Sequence, residues 1–167
     1  MDYSQEADNI RKSLYSPSDN FEFQPIGKLI HGEVSLLLSE AVPANPEHDA
    51  PPKYFFDIFV NNHRVGFIHL RVGYSLPYYI AGQIGYGIDE PFRGRGYATK
   101  ACFALKPLIK VHGYKKIILS TNENNMASRY SCERIGATLI HTIDTPEWIG
   151  LYDEGQRRTS IYEWAVE

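Results

Sequence analysis

The stretch Ile84-Gly85-Tyr86-Gly87-Ile88-Asp89-Glu90-Pro91-Phe92-Arg93-Gly94-Arg95-Gly96-Tyr97-Ala98-Thr99 decides how the rest of the chain is read. It begins as a short strand, turns at Pro91, passes through glycines alternating with arginines and enters a helix. Without a Cβ, Gly94 and Gly96 can take positive φ and let the backbone approach a ligand closely. Free N–H groups feeding a helix N-terminus attract anions, because the helix dipole adds positive potential there. Arg93 and Arg95 bring guanidinium donors suited to phosphate. The stretch therefore predicts a phosphate-binding strand–loop–helix; the plainer reading is a turn that caps a helix, with solvated arginines.

Two nucleotide-binding patterns fail on it. A P-loop would need Lys and Ser or Thr directly after its last glycine, where Tyr97 and Ala98 stand. A dinucleotide-type G-x-G-x-x-G starts at Gly85 and Gly87 and meets Glu90 where the third glycine belongs.

Outward from this loop, helical periodicity appears on one side and strand alternation on the other. Ala98, Ala101, Cys102, Leu105, Leu108 and Ile109 form one apolar helical face. Pro107 should kink that helix or end its regular bonding, and Gly113 should stop it. Lys116–Thr121 reads as a strand covered on both faces. Strand, helix and strand make a βαβ unit, with Gln83–Ile88 and Ile117–Ser120 parallel. Asn125 is a good N-cap for a helix over Met126–Ile135, closed by Gly136. Thr138–Ile143 and Ser160–Val166 read as the last strands, flanking a loop over Asp144–Arg158. Towards the N-terminus, Tyr54–Asn61 and Val65–Val72 form a hairpin about Asn61-Asn62-His63-Arg64. Glu33–Glu40 is a further strand, and the prolines of Ala41–Pro52 make an extended loop. Gly73–Ala81 is a second loop. Ser4–Tyr15 carries Ile10 and Leu14 at helical spacing with Ser4 as a cap, and Ser16-Pro17-Ser18-Asp19 breaks it.

Composition narrows the function classes. The 167 residues fit one domain, 1–167, with a core from about 33 to 167. A net charge of −3 and a pI near 6.1 argue against a nucleic-acid partner. Cys102 and Cys132, without C-x-x-C spacing, favour a reducing compartment, and the six histidines show no ligand spacing, so no metal site is expected. With no signal peptide and no apolar run of about 18 residues, a cytoplasmic protein without a membrane partner is expected. A homodimer is compatible with the composition.

The pattern R-x-x-G-x-A, formed by Arg93, Gly96 and Ala98, closely resembles the [QR]-x-x-G-x-[GA] signature of the GNAT superfamily of acetyl-CoA-dependent N-acetyltransferases. A second match lies on a later helix: Asn125 and Ser128 fit N-x-x-[AS], followed by Gly136 and Ala137. The order of elements, antiparallel strands, then βαβ, then a helix and two strands, also resembles that family from Glu33 onward. A-S-R-x-x-x-E-x-x-G-A, beginning at Ala127, most resembles the bacterial ribosomal-protein and small-molecule acetyltransferase branch. The resemblance implies an α/β (α+β) fold: a mixed central sheet with antiparallel N-terminal strands, a βαβ unit splayed around acetyl-CoA and helices on both faces.

Carried over residue by residue, the resemblance implies that the amides of Gly94, Arg95, Gly96, Tyr97, Ala98 and Thr99, with Arg93, hold the coenzyme A diphosphate. Tyr86, Gly87 and Ile88 would pair with the pantetheine arm through main-chain groups, and Asn125 and Ser128 complete the site. Gly85 and Gly87 suit a bulged strand there, or merely make room for packing. The implied reaction is direct attack by an amine acceptor on acetyl-CoA; a non-catalytic acyl-CoA sensor is the alternative. A tyrosine that many family members place seven residues after the Asn is replaced by Cys132, which is either the acid for the departing thiolate or a small buried residue. Tyr130 points about 200° away from that position on a helix and cannot simply substitute. Five residues before the Asn, some relatives have a carboxylate where Ser120 stands. His69 is the candidate base, or a structural histidine. Asp144, Glu147, Asp153 and Glu154, with Trp148 and Tyr152, suit a cationic acceptor or a solvated loop.

Overall fold

In the computed structural model, which describes residues 1–16 and 21–166, the chain runs α1 (Gln5–Tyr15), β1 (Leu29–His31), β2 (Val34–Val42), β3 (Lys53–Val60), β4 (His63–Arg71), α2 (Leu76–Ala81), β5 (Ile84–Ile88) and α3 (Tyr97–Val111). It continues through β6 (Lys116–Asn122), α4 (Met126–Arg134), β7 (Thr138–Asp144), α5 (Gly150–Asp153) and β8 (Arg158–Ala165). Strands β1 to β5 form one antiparallel sheet in sequence order, and β6, β8 and β7 form a second.

Strict alternation builds the first sheet. β3 buries Tyr54, Phe56, Ile58 and Val60 and turns Lys53, Phe55, Asp57 and Phe59 to the other face. Asn61 and Asn62, at φ 49° and 64°, supply the left-handed pair that a two-residue hairpin needs. The buried face packs on α3 through Ala101, Leu105, Leu108 and Ile109. α3 continues through Pro107 to Val111, and Gly113 follows at φ 86°. β6 is buried on both faces, as its apolar run predicts: Ile117 and Leu119 join the main core, while Ile118 joins a second cluster with Tyr15, Tyr79, Ile80 and Ile161. α1 and α2 supply that second cluster, whereas α3 supplies the first.

Between the sheets the βαβ expectation needs correction. β5 and β6 form no ladder. Among the described residues, hydrogen bonds join them only just before β5 begins: Gln83 N donates to Ile118 O at 2.8 Å, and Ile118 N donates back to Gln83 Oε1 at 2.8 Å. Beyond Gln83 the strands belong to different sheets, which frees the edge of β5 facing β6.

Three further expectations change. β1, α2 and α5 are elements that the periodicity does not reveal; two are four residues or fewer, and α2 spans six. Ile10 and Leu14 are exposed, and α1 docks through Tyr15 instead. Its ring packs on Tyr79 and its hydroxyl donates to Glu163 at 2.8 Å. One large aromatic with a satisfied hydroxyl outweighs two aliphatic side chains. The glycines of β5 form no bulge, since β4 and β5 pair without a register shift. They make room: a Cβ on Gly85 would lie 2.1 Å from His69 Nε2, and one on Gly87 would lie 2.6 Å from the Phe67 ring. The break expected at Pro17–Asp19 lies outside the described residues.

Candidate active site

After β5 the chain makes a short 3₁₀ turn, Glu90–Phe92, with Pro91 at its start, and Arg93 then ties back by donating Nε to Ile88 O at 2.8 Å. Gly94 and Gly96 take φ 78° and 77°, the left-handed conformation that glycine tolerates. Gly96 is the N-cap of α3 and offers no side chain to its first turn. Consequently, among the described residues, no amide from Gly94 through Thr99 donates to a protein acceptor; the first to do so is Lys100, to Gly96 O at 3.1 Å. Arg93, Arg95 and Arg134 border this run and have no carboxylate partner among the described residues. Unpaired amides, a helix N-terminus and guanidinium groups together make a cradle for a diphosphate-sized anion.

The cradle opens into a cleft of about 530 Å³. One wall is β5, with Tyr86, Gly87 and Ile88; the floor is Arg93, Gly94, Arg95, Gly96, Tyr97, Ala98 and Thr99; α4 supplies Asn125 and Ser128. All the residues expected from sequence to hold a cofactor thus border one cavity. Asn125 caps α4 by accepting from Ser128 N at 3.1 Å. Phe92, Ala127, Tyr130, Ser131 and Arg134 also line the cleft and were not anticipated. The signal was present for the helix: Ala127, Ser131 and Arg134, at i, i+4 and i+7, share one face. Arg134 also sits 5.6 Å above the Tyr130 ring.

The two candidate catalytic residues lie elsewhere. Cys132 is 4% exposed, belongs to the main core and does not line the cleft. Burial, with the Glu133 charge adding to it, pushes its thiol up to about 12. His69 projects from β4 towards Gly85, between Phe55 and Phe67, with both ring nitrogens buried and without hydrogen-bond partners. Burial, then the charges of Arg71 and Lys53, lowers its pKa from 6.5 to about 4. Such a group is neutral at pH 7 and a weak proton acceptor.

This shift has a consequence for stability. The unfolded chain takes up a proton below pH 6.5 that the folded chain refuses until about pH 4. Stability present above the unfolded value is therefore lost as pH falls through that window. We expect a loss of about 1–2 kcal/mol between pH 7 and 5 from this group, allowing for its partial exposure. In His69→Gln the slope of denaturant-measured stability against pH should flatten; an identical slope would assign the acid sensitivity to other groups.

The late loop forms a second hollow of about 650 Å³ with Met1 and Tyr3, and Asp144, Glu147 and Tyr152 line it. Asp144 is paired with Arg158 at 2.8 Å, and Trp148 meets Tyr3 edge-on at 6.4 Å between ring centres. Asp153 and Glu154 do not line it. No helix among the described residues is long and apolar enough to cross a membrane.

Residues 19–137 match the acetyltransferase (GNAT) family. No curated protein is similar enough to the chain to count as a match. Among solved structures, the RimL ribosomal L7/L12 alpha-N-protein acetyltransferase in complex with coenzyme A is 16% identical, over 83% of this chain and 98% of that one, with a TM-score of 0.61. An acetyl transferase from Salmonella typhimurium that modifies the N-terminal serine of 50S ribosomal subunit protein L7/L12 is 21% identical, over 72% and 67% of the two chains, with a TM-score of 0.55. The microcin C7 self-immunity acetyltransferase MccE, in complex with acetyl-CoA and AMP, is 21% identical, over 68% and 61%, with a TM-score of 0.50. These likenesses concern the fold, whereas the family match spans most of the chain and coincides with the cradle and both cleft walls. The chain belongs to the acetyltransferase (GNAT) family and is an acetyl-CoA-dependent acetyltransferase.

Proposed function

We propose that this protein transfers acetyl from acetyl-CoA to a primary amine by direct attack in a ternary complex. The observation that carries the reading is the run of unpaired amides from Gly94 to Thr99 at the mouth of a cleft whose wall is the freed edge of β5. The cradle would hold the diphosphate and the main chain of Tyr86, Gly87 and Ile88 the pantetheine arm, with Asn125 and Ser128 across the cleft. Acetyl-CoA supplies the activated acyl group; the protein supplies orientation, which by itself removes much of the barrier to a bimolecular reaction.

An alkylammonium of pKa near 10.4 must lose a proton before it attacks. His69 and Cys132 lie off the cleft, so water passing through it is the acceptor favoured by the geometry. In the hollow beside the late loop Arg158 pairs with Asp144 and Arg157 covers the Tyr152 ring, which leaves Glu147 as the acidic group that would face a cationic acceptor. RimL is an alpha-N-protein acetyltransferase and MccE was captured with AMP, so peptide N-termini and small-molecule amines both belong in the test.

Thiol release from acetyl-CoA is measured against peptide N-termini, polyamines, aminoglycosides and amino sugars. Turnover with at least one class is the expected result. The placement of His69 and Cys132 off the cleft also favours a second reading, a non-catalytic acyl-CoA sensor. Tight acetyl-CoA binding with no thiol release from any class would establish that reading and remove the first.

A further inference from the structure

As a thioester is cleaved, negative charge collects on sulfur, and a preorganised hydrogen-bond donor at that atom lowers the barrier. Few side chains in the cleft are free for this task. Asn125 is engaged in capping α4, and Ser131 Oγ donates to Ala127 O at 3.1 Å. Tyr130 lines the cleft at its solvent side, 62% exposed and with the Arg134 guanidinium 5.6 Å above its ring. Tyr97 and Thr99 belong to the cradle. Tyr86 differs from all of these: it stands on β5, packs against the main core and still lines the cleft, beside Ser128 and Ser131 of α4. Burial, then the nearby Cys102 and Cys132 thiols, pushes its phenol up to about 12, while the Ser128 and Ser131 hydroxyls pull it back. The hydroxyl keeps its proton throughout the neutral range.

We propose that Tyr86 Oη is the hydrogen-bond donor to the departing coenzyme A sulfur, which makes Tyr86 a catalytic residue of the transferase; this rests on the acetyltransfer reading above. A bond forms between the amine nitrogen and the acetyl carbon, and the carbon–sulfur bond breaks with its electron pair on sulfur. The Tyr86 O–H stabilises that pair without surrendering its proton, since transfer from so weak an acid to a thiolate of reference pKa about 8.5 is uphill. The proton shed by nitrogen reaches sulfur through water, and the products are the amide and the free thiol.

A donor to the thiolate lowers the thiol pKa in the binary complex, which can be measured without an acceptor. Coenzyme A bound to the wild type, Tyr86→Phe and Ser128→Ala is titrated by thiolate ultraviolet absorbance, with desulfo-coenzyme A as the blank. In Tyr86→Phe the bound thiol pKa should rise by about one unit or more, and neutral-pH affinity should change less than about threefold. With an accepted amine, turnover should fall about tenfold or more at unchanged KM for acetyl-CoA. That loss should shrink for an acetyl donor whose leaving group is an acidic thiophenol, a change that a purely structural role would not produce. An unchanged thiol pKa in a Tyr86→Phe protein that still binds coenzyme A overturns the proposal, as does a larger shift in Ser128→Ala. A wild type that does not bind coenzyme A removes the acetyltransfer reading itself and is recognised separately, because there is then no complex to titrate.

Discussion

Gly96→Val is expected to weaken acetyl-CoA binding by about a hundredfold or more in calorimetric titration. Gly96 caps α3 at φ 77°, and among the described residues beyond its chain neighbours the atoms near its missing Cβ are the Arg134 guanidinium nitrogens, at 3.8 Å and 4.0 Å. A clash is therefore not the cause. The cause is conformational: a residue with a Cβ pays about 1–2 kcal/mol in the left-handed region, and a β-branched one tolerates it least. The loop relieves that strain by re-aiming its amides. Each amide contact with an anion contributes about 0.3–1 kcal/mol, so losing several together amounts to about 3 kcal/mol, or a hundredfold in affinity. Gly94, at φ 78° with nothing within 4 Å of its missing Cβ, provides a milder comparison as Gly94→Ala. Equal affinity in the wild type and Gly96→Val would place the diphosphate elsewhere.

The largest stability effect is expected at Gln83, which is 1% exposed and joins the two sheets. Its Nε2 donates to Tyr15 O at 3.0 Å and Gly73 O at 2.9 Å, and its Oε1 accepts from Ile118 N at 2.8 Å. Leucine preserves much of the volume and removes every one of these bonds. Gln83→Leu would leave one buried amide and two carbonyls without partners, at about 1–3 kcal/mol each. The melting temperature should fall by about 10 °C or more, given about 2–4 °C per kcal/mol at this chain length. Because Gln83 holds the point from which β5 and β6 part, coenzyme A affinity should fall as well. A melting temperature within about 2 °C of the wild type would show that the junction is held elsewhere.

Much of this was legible in the chain because it depends on local rules. The hairpin over β3 and β4 follows from strict alternation and two asparagines, and α3 follows from its apolar face. The cradle follows from glycines at 94 and 96, where backbone conformation is a property of the residue itself. The cleft face of α4 was half legible: Asn125 and Ser128 announce the cap, while Arg134 looks like any other charge on a final turn until α3 is brought beside it.

Other features depend on partners distant in sequence. Ile10 and Leu14 have the right spacing for a buried stripe, yet Tyr15, bonded to Glu163, sets the face of α1. Gly85 and Gly87 read equally well as a bulge or as space, and only the rings of His69 and Phe67 on the neighbouring strand decide for space. His69 and Cys132 carry reactive groups in the sequence, but proton chemistry depends on solvent and geometry, and the fold withdraws both from the cleft while leaving the Tyr86 phenol in its wall.

The sequence by itself therefore determined the family and the strand–loop–helix with its run of free amides, since glycine conformation, helix N-termini and side-chain periodicity act over a few residues. Only the tertiary structure decided where the two sheets separate and which side chains face the gap between them. Those outcomes depend on Gln83 meeting Ile118, and on rings packing across strands, contacts that no local pattern encodes.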